Sequence, residues 1–296
     1  MPSSHSSLRQ AAILRARAET AAAALPPLHL AAGPVIPMSV SGSHGLRRPG
    51  TGEDFWQYRP AHAGDTARAI DWRRSARSDA QFVRDRERQT MRIAEIWVGR
   101  GAGMGYAGQG HGGESKFDRA RLIALALGLS MIRGGERVAM LGEPPGTGAV
   151  QAEKLSLSLA GSDLLVEDDD IPDQTVIQPG RIIVLINDFI SDNNILFNII
   201  NSISSINCSG VILQVLHPDE EEFPFDGAIR FETAGGRFHD TRDAGGLRMA
   251  YRARLQEHRE KLAVNAQRAG FVFGTHDLGR PVSEALIWLH GILSAR

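Results

Sequence analysis

One cysteine, Cys208, stands in the whole sequence, which excludes an internal disulfide. It closes a segment that carries Ile203 and Ile206, and it reads as a small buried hydrophobe rather than a nucleophile. An excess of one charge is lacking as well. The formal net charge is −1, so no global field draws the chain to nucleic acid or to an anionic membrane. No stretch reaches the ~18–20 apolar residues that a membrane-spanning helix needs. The Ala-rich start, Met1 to Pro34, is broken by Arg9, Arg15, Arg17 and Glu19, which excludes an uncharged core of secretory length. It reads as a helix from Leu8 to Ala24, ended by Pro26-Pro27 and packed on the body, with a peripheral membrane helix as the weaker alternative. These absences together point to a soluble, cytoplasmic protein.

Catalytic and ligand motifs are scarce too. The histidines are scattered, without HExxH or Cys/His ligand spacing, which argues against zinc. Ser75 and Ser78 have neither a nucleophile elbow nor a base partner. Gly146-Thr147-Gly148 lacks the lysine of a phosphate loop. Gly103-Met104-Gly105-Tyr106-Ala107-Gly108 spells G-x-G-x-x-G, but the next helix starts near Lys116, too late for its N-terminus to face a pyrophosphate. That run reads as a flexible loop, and no cofactor is expected.

What is present is an ordinary globular composition, 42% hydrophobic and 23% charged. The 296 residues suffice for one large domain or two modest ones. From Ile93 onward, strands and helices alternate. Strands are expected at Ile93–Val98, Arg137–Leu141, Ile182–Ile186, Gly210–Leu216 and Phe271–Gly274. Helices are expected from Lys116 to Gly134, at Ala152–Leu159, Asn193–Ile206 and Gly245–Ala269, and from Pro281 to Leu293. Ser115 with Asp118 three residues on forms a capping-box pattern. This alternation predicts a Rossmann-like α/β fold with a mainly parallel sheet and helices on both faces. Ligands of such a sheet bind beyond the carboxyl ends of its strands, here at the loops starting at Gly99, Asn187 and His217.

Residues 35–92 differ in character and read as a compact loop-and-hairpin region. From Arg47 to Arg92, eleven arginines are interleaved with seven acids. Arginine's planar fork suits bidentate pairing with carboxylates, so most of these charges read as an internal ion-pair network. A docking surface for an anion or a protein is the functional alternative. Asp65 and Asp71 are expected to hold Arg59, Arg68 or Arg77, and Trp72 to anchor the segment on the sheet. Nucleic-acid binding would need a net positive face and a groove-reading element, and neither is evident.

This region carries an ordered pattern: Gly42-Ser43-His44, Gly50-Thr51-Gly52-Glu53-Asp54-Phe55, Arg59-Pro60, Gly64-Asp65, then Arg68-Ala69-Ile70-Asp71-Trp72-Arg73-Arg74-Ser75-Ala76-Arg77. It closely resembles the signature of the domain of unknown function 58 family. His217-Pro218-Asp219-Glu220-Glu221-Glu222-Phe223-Pro224-Phe225 resembles that family's acidic-then-FPF segment, and Tyr251, Leu255 and His258 its late helix. The resemblance covers roughly residues 40–275. It implies a von Willebrand factor type A-like domain, a MoxR-type AAA+ ATPase as partner and an assembly or chaperone-like role. It also marks Arg59, Gly64, Asp65, Arg68, Asp71, Trp72, Arg73, Arg74, Ser75 and Arg77 as the signature or partner-binding residues.

The resemblance further implies where a divalent cation would sit. Type A domains hold it with Asp-x-Ser-x-Ser after the first strand. Here the aligned positions are Gly99, Gly101 and Gly103, which offer no side-chain oxygen. Asp188 resembles the later aspartate of such sites and is the one weak metal candidate, while Thr147 matches the threonine poorly. The leading expectation is therefore a non-catalytic adaptor. Alternatives are a divalent-metal-dependent protein-binding module built on Asp188, or a hydrolase using Asp188 with the acids at 219–222.

Overall fold

The computed structural model describes residues 4–31, 49–61, 70–76, 82–87, 92–108, 113–165, 171–190, 194–232 and 238–294. The chain divides into two units, one formed by Met1–Ser41 with Arg92–Arg296, the other by Gly42–Met91. In chain order the helices and strands are α1 (Ser4–Ala23), β1 (Pro49–Pro60), α2 (Trp72–Ser75), β2 (Phe82–Glu87), β3 (Ile93–Val98), α3 (Lys116–Arg133), β4 (Arg137–Met140), α4 (Gly148–Ala160) and β5 (Ile182–Asn187). There follow α5 (Asn194–Ser205), β6 (Ser209–Leu216), α6 (Pro218–Glu222), β7 (Ile229–Glu232), β8 (Phe238–Thr241), α7 (Ala244–Arg268), β9 (Phe271–Asp277) and α8 (Val282–Ser294).

In the first unit, five parallel strands form a sheet in the order β4-β3-β5-β6-β9. The chain enters at β3 and steps outward to β4. It then returns to the other side of β3 and continues through β5, β6 and β9. This is a doubly wound α/β order, with its topological switch point between β3 and β5. β5 is buried along its whole length, as its unbroken apolar run requires of a strand covered on both faces.

Alternate residues feed two apolar layers. Ile182, Val184 and Ile186 join Ala94, Ile96 and Val98 beneath α1, α3, α4 and α8. Ile183 and Leu185 join Leu196, Ile199, Ile203, Leu262 and Ala266 of α5 and α7. α3 is buried almost all round, which explains its two apolar stripes. Ser115 caps it, accepting the Asp118 N–H at 3.0 Å. Ala11, Leu14, Ala18 and Ala22 put one buried face of α1 on this layer, and Arg133 Nη2 donates to the Ala22 carbonyl at 2.6 Å. Among the described residues no helix is long and apolar enough to cross a membrane.

The second unit contains an antiparallel pair, β1 with β2, in which Arg59 faces Val83 and Pro60 faces Phe82. α2 lies between the two strands in the chain, so they are joined by a long connection rather than a tight turn.

Several features depart from the expected elements, among them α2 and α6, which were not expected, and α1, which begins at Ser4 rather than Leu8. α4 begins at Gly148, four residues before Ala152, directly after Thr147 in extended backbone. β9 runs on to Asp277 because it pairs with β6 as far as Leu216. The β7–β8 hairpin was not expected at all. Its short strands are largely exposed and mixed in polarity, so they lack a hydrophobic period. An Arg230–Asp240 bidentate pair at 2.7 and 2.9 Å ties the two strands together.

Candidate functional site

The switch point brings three loops together. After β3, the Gly99 N–H donates to the Ile186 carbonyl at 2.8 Å, and the loop makes a 3₁₀ turn over Ala102–Gly105 with Met104 buried beneath it. A Cβ on Gly99 would lie 2.2 Å from Asn187 Oδ1, and one on Gly103 would lie 3.2 Å from Asp188 Oδ2. The glycines thus let backbone lie directly against the end of β5. The cost is chemical: Gly99, Gly101 and Gly103 bring no hydroxyl or carboxylate to Asp188.

A lysine stands there instead. Lys116, the first residue of α3, donates from Nζ to Asp188 Oδ2 at 2.8 Å and to Glu220 Oε1 at 2.6 Å. Its side chain is 1% exposed. Burial opposes the charged form of Lys116, but Asp188 and Glu220 outweigh it and hold the ammonium above the ordinary lysine value. Burial also pushes the Glu220 carboxyl upward, and Lys116 pulls it partly back.

Three acids of α6, Asp219, Glu220 and Glu221, are each engaged by a different element. Asp219 Oδ2 accepts from the Tyr106 hydroxyl at 2.9 Å. Glu220 holds Lys116 through one oxygen, while its other oxygen accepts the His217 N–H at 2.8 Å. The imidazole of His217 in turn accepts the Asp219 N–H at 3.1 Å, which completes a capping box on α6. Glu221 takes a two-pronged pair from the Arg259 guanidinium. Arg259 Nε reaches the fully buried Gln214, whose amide donates to the Asp188 carbonyl at 2.8 Å.

Gly108 adopts a left-handed backbone with φ 86°, and a Cβ there would come within 2.6 Å of the His217 ring. Asp219, Glu220 and Glu221 are each committed to a partner within the chain.

The FPF segment and the late helix meet beside this corner. The Phe223 ring lies 5.0 Å from Phe225, 5.7 Å from Phe231 and 4.6 Å from Tyr251. Arg248 donates to the carbonyls of Phe223 and Phe225. His258 Nε2 lies 2.5 Å from the Phe189 carbonyl, just after Asp188.

A second polar knot ties α3 to the end of β9. Arg119 pairs with Glu114 and donates to the carbonyls of Leu278 and Arg280. Its Nη1 also lies 2.9 Å from His276 Nε2. A guanidinium only donates, so this imidazole nitrogen accepts and the ring is neutral. His276 is 3% exposed, and burial, reinforced by the Arg119 charge, depresses its pKa to about 4.

In the second unit, Asp71 is the N-cap of α2 and accepts the Arg74 N–H at 3.1 Å. Ser75 is buried; its hydroxyl donates to the Asp71 carbonyl at 2.8 Å and accepts the Phe82 N–H at 2.9 Å. These bonds pin the turn. Trp72 is 58% exposed, with exposed Arg73 and Arg74 beside it. Within its own unit the turn is fixed by the bonds of Asp71 and Ser75. The Arg74 guanidinium lies 5.4 Å over the Phe82 ring. Arg59 lies in β1, whereas Gly64, Asp65, Arg68 and Arg77 fall outside the described residues.

Neither unit presents three or more His, Cys, Asp or Glu side chains placed to hold a metal ion among the described residues. Asp188 and Glu220 share the Lys116 ammonium, which takes the position a bound ion would need between them. The residues present do not fit a metal.

Fold and corner together define an α/β protein of doubly wound order whose switch point is closed by a buried lysine and its acids. The profile of the family described as "Protein of unknown function DUF58" matches residues 57–261, and the chain belongs to that family. No curated protein matches it. Among solved structures it is similar to BatB from Bacteroides thetaiotaomicron, described as a conserved hypothetical protein. That match has 15% identity over 69% of this chain and 97% of that one, with a TM-score of 0.40. An aerotolerance-related membrane protein from Bacteroides fragilis is 18% identical over 68% and 98% of the two chains, with a TM-score of 0.40. An uncharacterized membrane-spanning protein from Vibrio fischeri is 11% identical over 67% and 96%, with a TM-score of 0.20.

Proposed function

We propose that this chain is a non-catalytic adaptor or assembly factor, with a degenerate von Willebrand factor type A-like domain, that works in the cytoplasm with a MoxR-type AAA+ ATPase. Its docking element is α2. The observation that carries the reading is the 58% exposure of Trp72 beside exposed Arg73 and Arg74. Tryptophan and arginine dominate the energetic centres of protein interfaces. Here Trp72 and Arg73 stand exposed on a turn whose backbone Asp71 and Ser75 fix, which lowers the backbone ordering cost of binding.

The corner at the switch point supports the non-catalytic part. A general base or nucleophile must be free to reach its substrate. Asp188, Asp219, Glu220 and Glu221 are engaged by Lys116, Tyr106 and Arg259. The same pairing argues against a hydrolase built on these acids and against a metal-dependent module built on Asp188.

Affinity capture from the native host tests the proposal. Wild type should co-purify an AAA+ ATPase, and an Arg73→Glu/Arg74→Glu variant of unchanged thermal stability should lose it. Retention by the variant, or no ATPase with wild type, would contradict the proposal.

A further inference from the structure

The five-stranded sheet has two edges, and the chain treats them differently. At the β4 edge, Val138 exchanges backbone hydrogen bonds with Gly146 at 2.9 and 3.2 Å, and Gln151 Nε2 donates to the Val138 carbonyl at 2.8 Å. The loop and helix that follow β4 thus cover that edge. β9 forms the other edge. It pairs with β6 in unbroken register from Phe271 to Asp277, and among the described residues no strand pairs with its outer side. We propose that β9 is a self-association edge. A second copy of this chain pairs with it antiparallel about a two-fold axis at Gly274, which makes one continuous sheet across both copies. This inference is independent of the docking role of α2.

β9 lacks the devices that usually protect an open edge. Its sequence, Phe271-Val272-Phe273-Gly274-Thr275-His276-Asp277, has no proline, no lysine and no bulge, and its one acid is the last residue. A regular strand with a free row of N–H and C=O groups is a template for another strand.

Self-complementarity selects a second copy as the occupant. A two-fold axis at Gly274 sets Phe273 opposite Thr275, Val272 opposite His276 and Phe271 opposite Asp277, so no like charges face each other. Phe273 is half-buried and Thr275 exposed, and an aromatic against a β-branched residue is a favourable cross-strand pair. On the other face, a Cβ on Gly274 would lie 2.4 Å from the Trp288 ring, so the indole of α8 covers the strand at the axis. The axis brings the two indoles to one seam, with Ile287 of the same helix 60% exposed next in the chain. It also sets the start of one β9 beside the end of the other. Exposed Arg268, which closes α7 just before β9, then comes to the end that carries Asp277, a match of opposite charges.

Sedimentation of the full chain tests the proposal. Wild type should form a dimer whose fraction rises with concentration. In the paired strands the two copies of position 275 are diagonal neighbours on one face. Thr275→Lys and Thr275→Glu, each at an exposed position, should keep the wild-type Tm and each dimerise about fivefold or more weakly. An equimolar mixture of the two variants should regain the association, because the diagonal charges are then opposite. A wild type that stays monomeric at every concentration would overturn the proposal. So would a dimer that Thr275→Lys leaves intact, or a mixture that associates no more tightly than either variant alone.

Discussion

Lys116→Met should lower the stability of the chain by about 3–5 kcal/mol, the usual consequence of removing one partner from a buried charge network. Methionine keeps the length and most of the apolar stem, so packing is nearly preserved and the loss isolates the charge. What remains is Asp188 and Glu220 facing each other without their shared ammonium. The Glu220 carboxyl, already pushed up by burial, should move further up once the neighbouring ammonium is gone. Urea unfolding at pH 7 measures the loss. The triple variant Lys116→Met/Asp188→Asn/Glu220→Gln should recover much of it, because a neutral triad leaves no uncompensated charge. A Lys116→Met variant as stable as wild type would show that the ammonium is not the keystone of this corner.

Acidification should expose the other knot. His276 is held neutral, with its folded pKa near 4 against an ordinary value of 6.5. Between those values the unfolded chain binds a proton at this residue and the folded chain does not. Stability therefore rises with pH across that window and falls as pH drops from 6.5 to about 4, by about 3 kcal/mol in all. Glu220 and Glu95 act in the opposite direction, since burial raises both carboxyls above their ordinary value. The comparison with His276→Gln separates the two effects, because only the imidazole contribution disappears. Tm recorded from pH 7 to pH 4 should fall more steeply in wild type than in His276→Gln. Parallel slopes would mean that the ring is not held neutral by burial and Arg119.

The sheet was legible in the sequence because its strands are continuous apolar runs, such as Ile182–Ile186, bounded by glycine, proline or polar turns. α3 was legible from Ser115 and from two apolar stripes. The β7–β8 hairpin was not, because its strands are short and mostly exposed. Asp188 was recognisable as the one acid of interest at the switch point, but its partner was not. Lys116 lies 72 residues from Asp188 and 104 from Glu220, so no local spacing joins them. The one local signal was a lysine opening a capped helix, where the dipole disfavours it.

The turn that carries Trp72 shows a second limit of the sequence. A large aromatic in a polar segment reads by default as an anchor. The bonds that fix its turn come from Asp71 and Ser75, small polar residues whose capping geometry appears only in three dimensions.

The most direct test of the docking account is a binding titration of the host's purified MoxR-type ATPase against wild type and Trp72→Ala. Wild type should bind, and Trp72→Ala should bind about 30-fold or more weakly at unchanged Tm, the loss expected of an interface hot spot. Equal affinity of the two proteins, or no binding by either, would contradict the account.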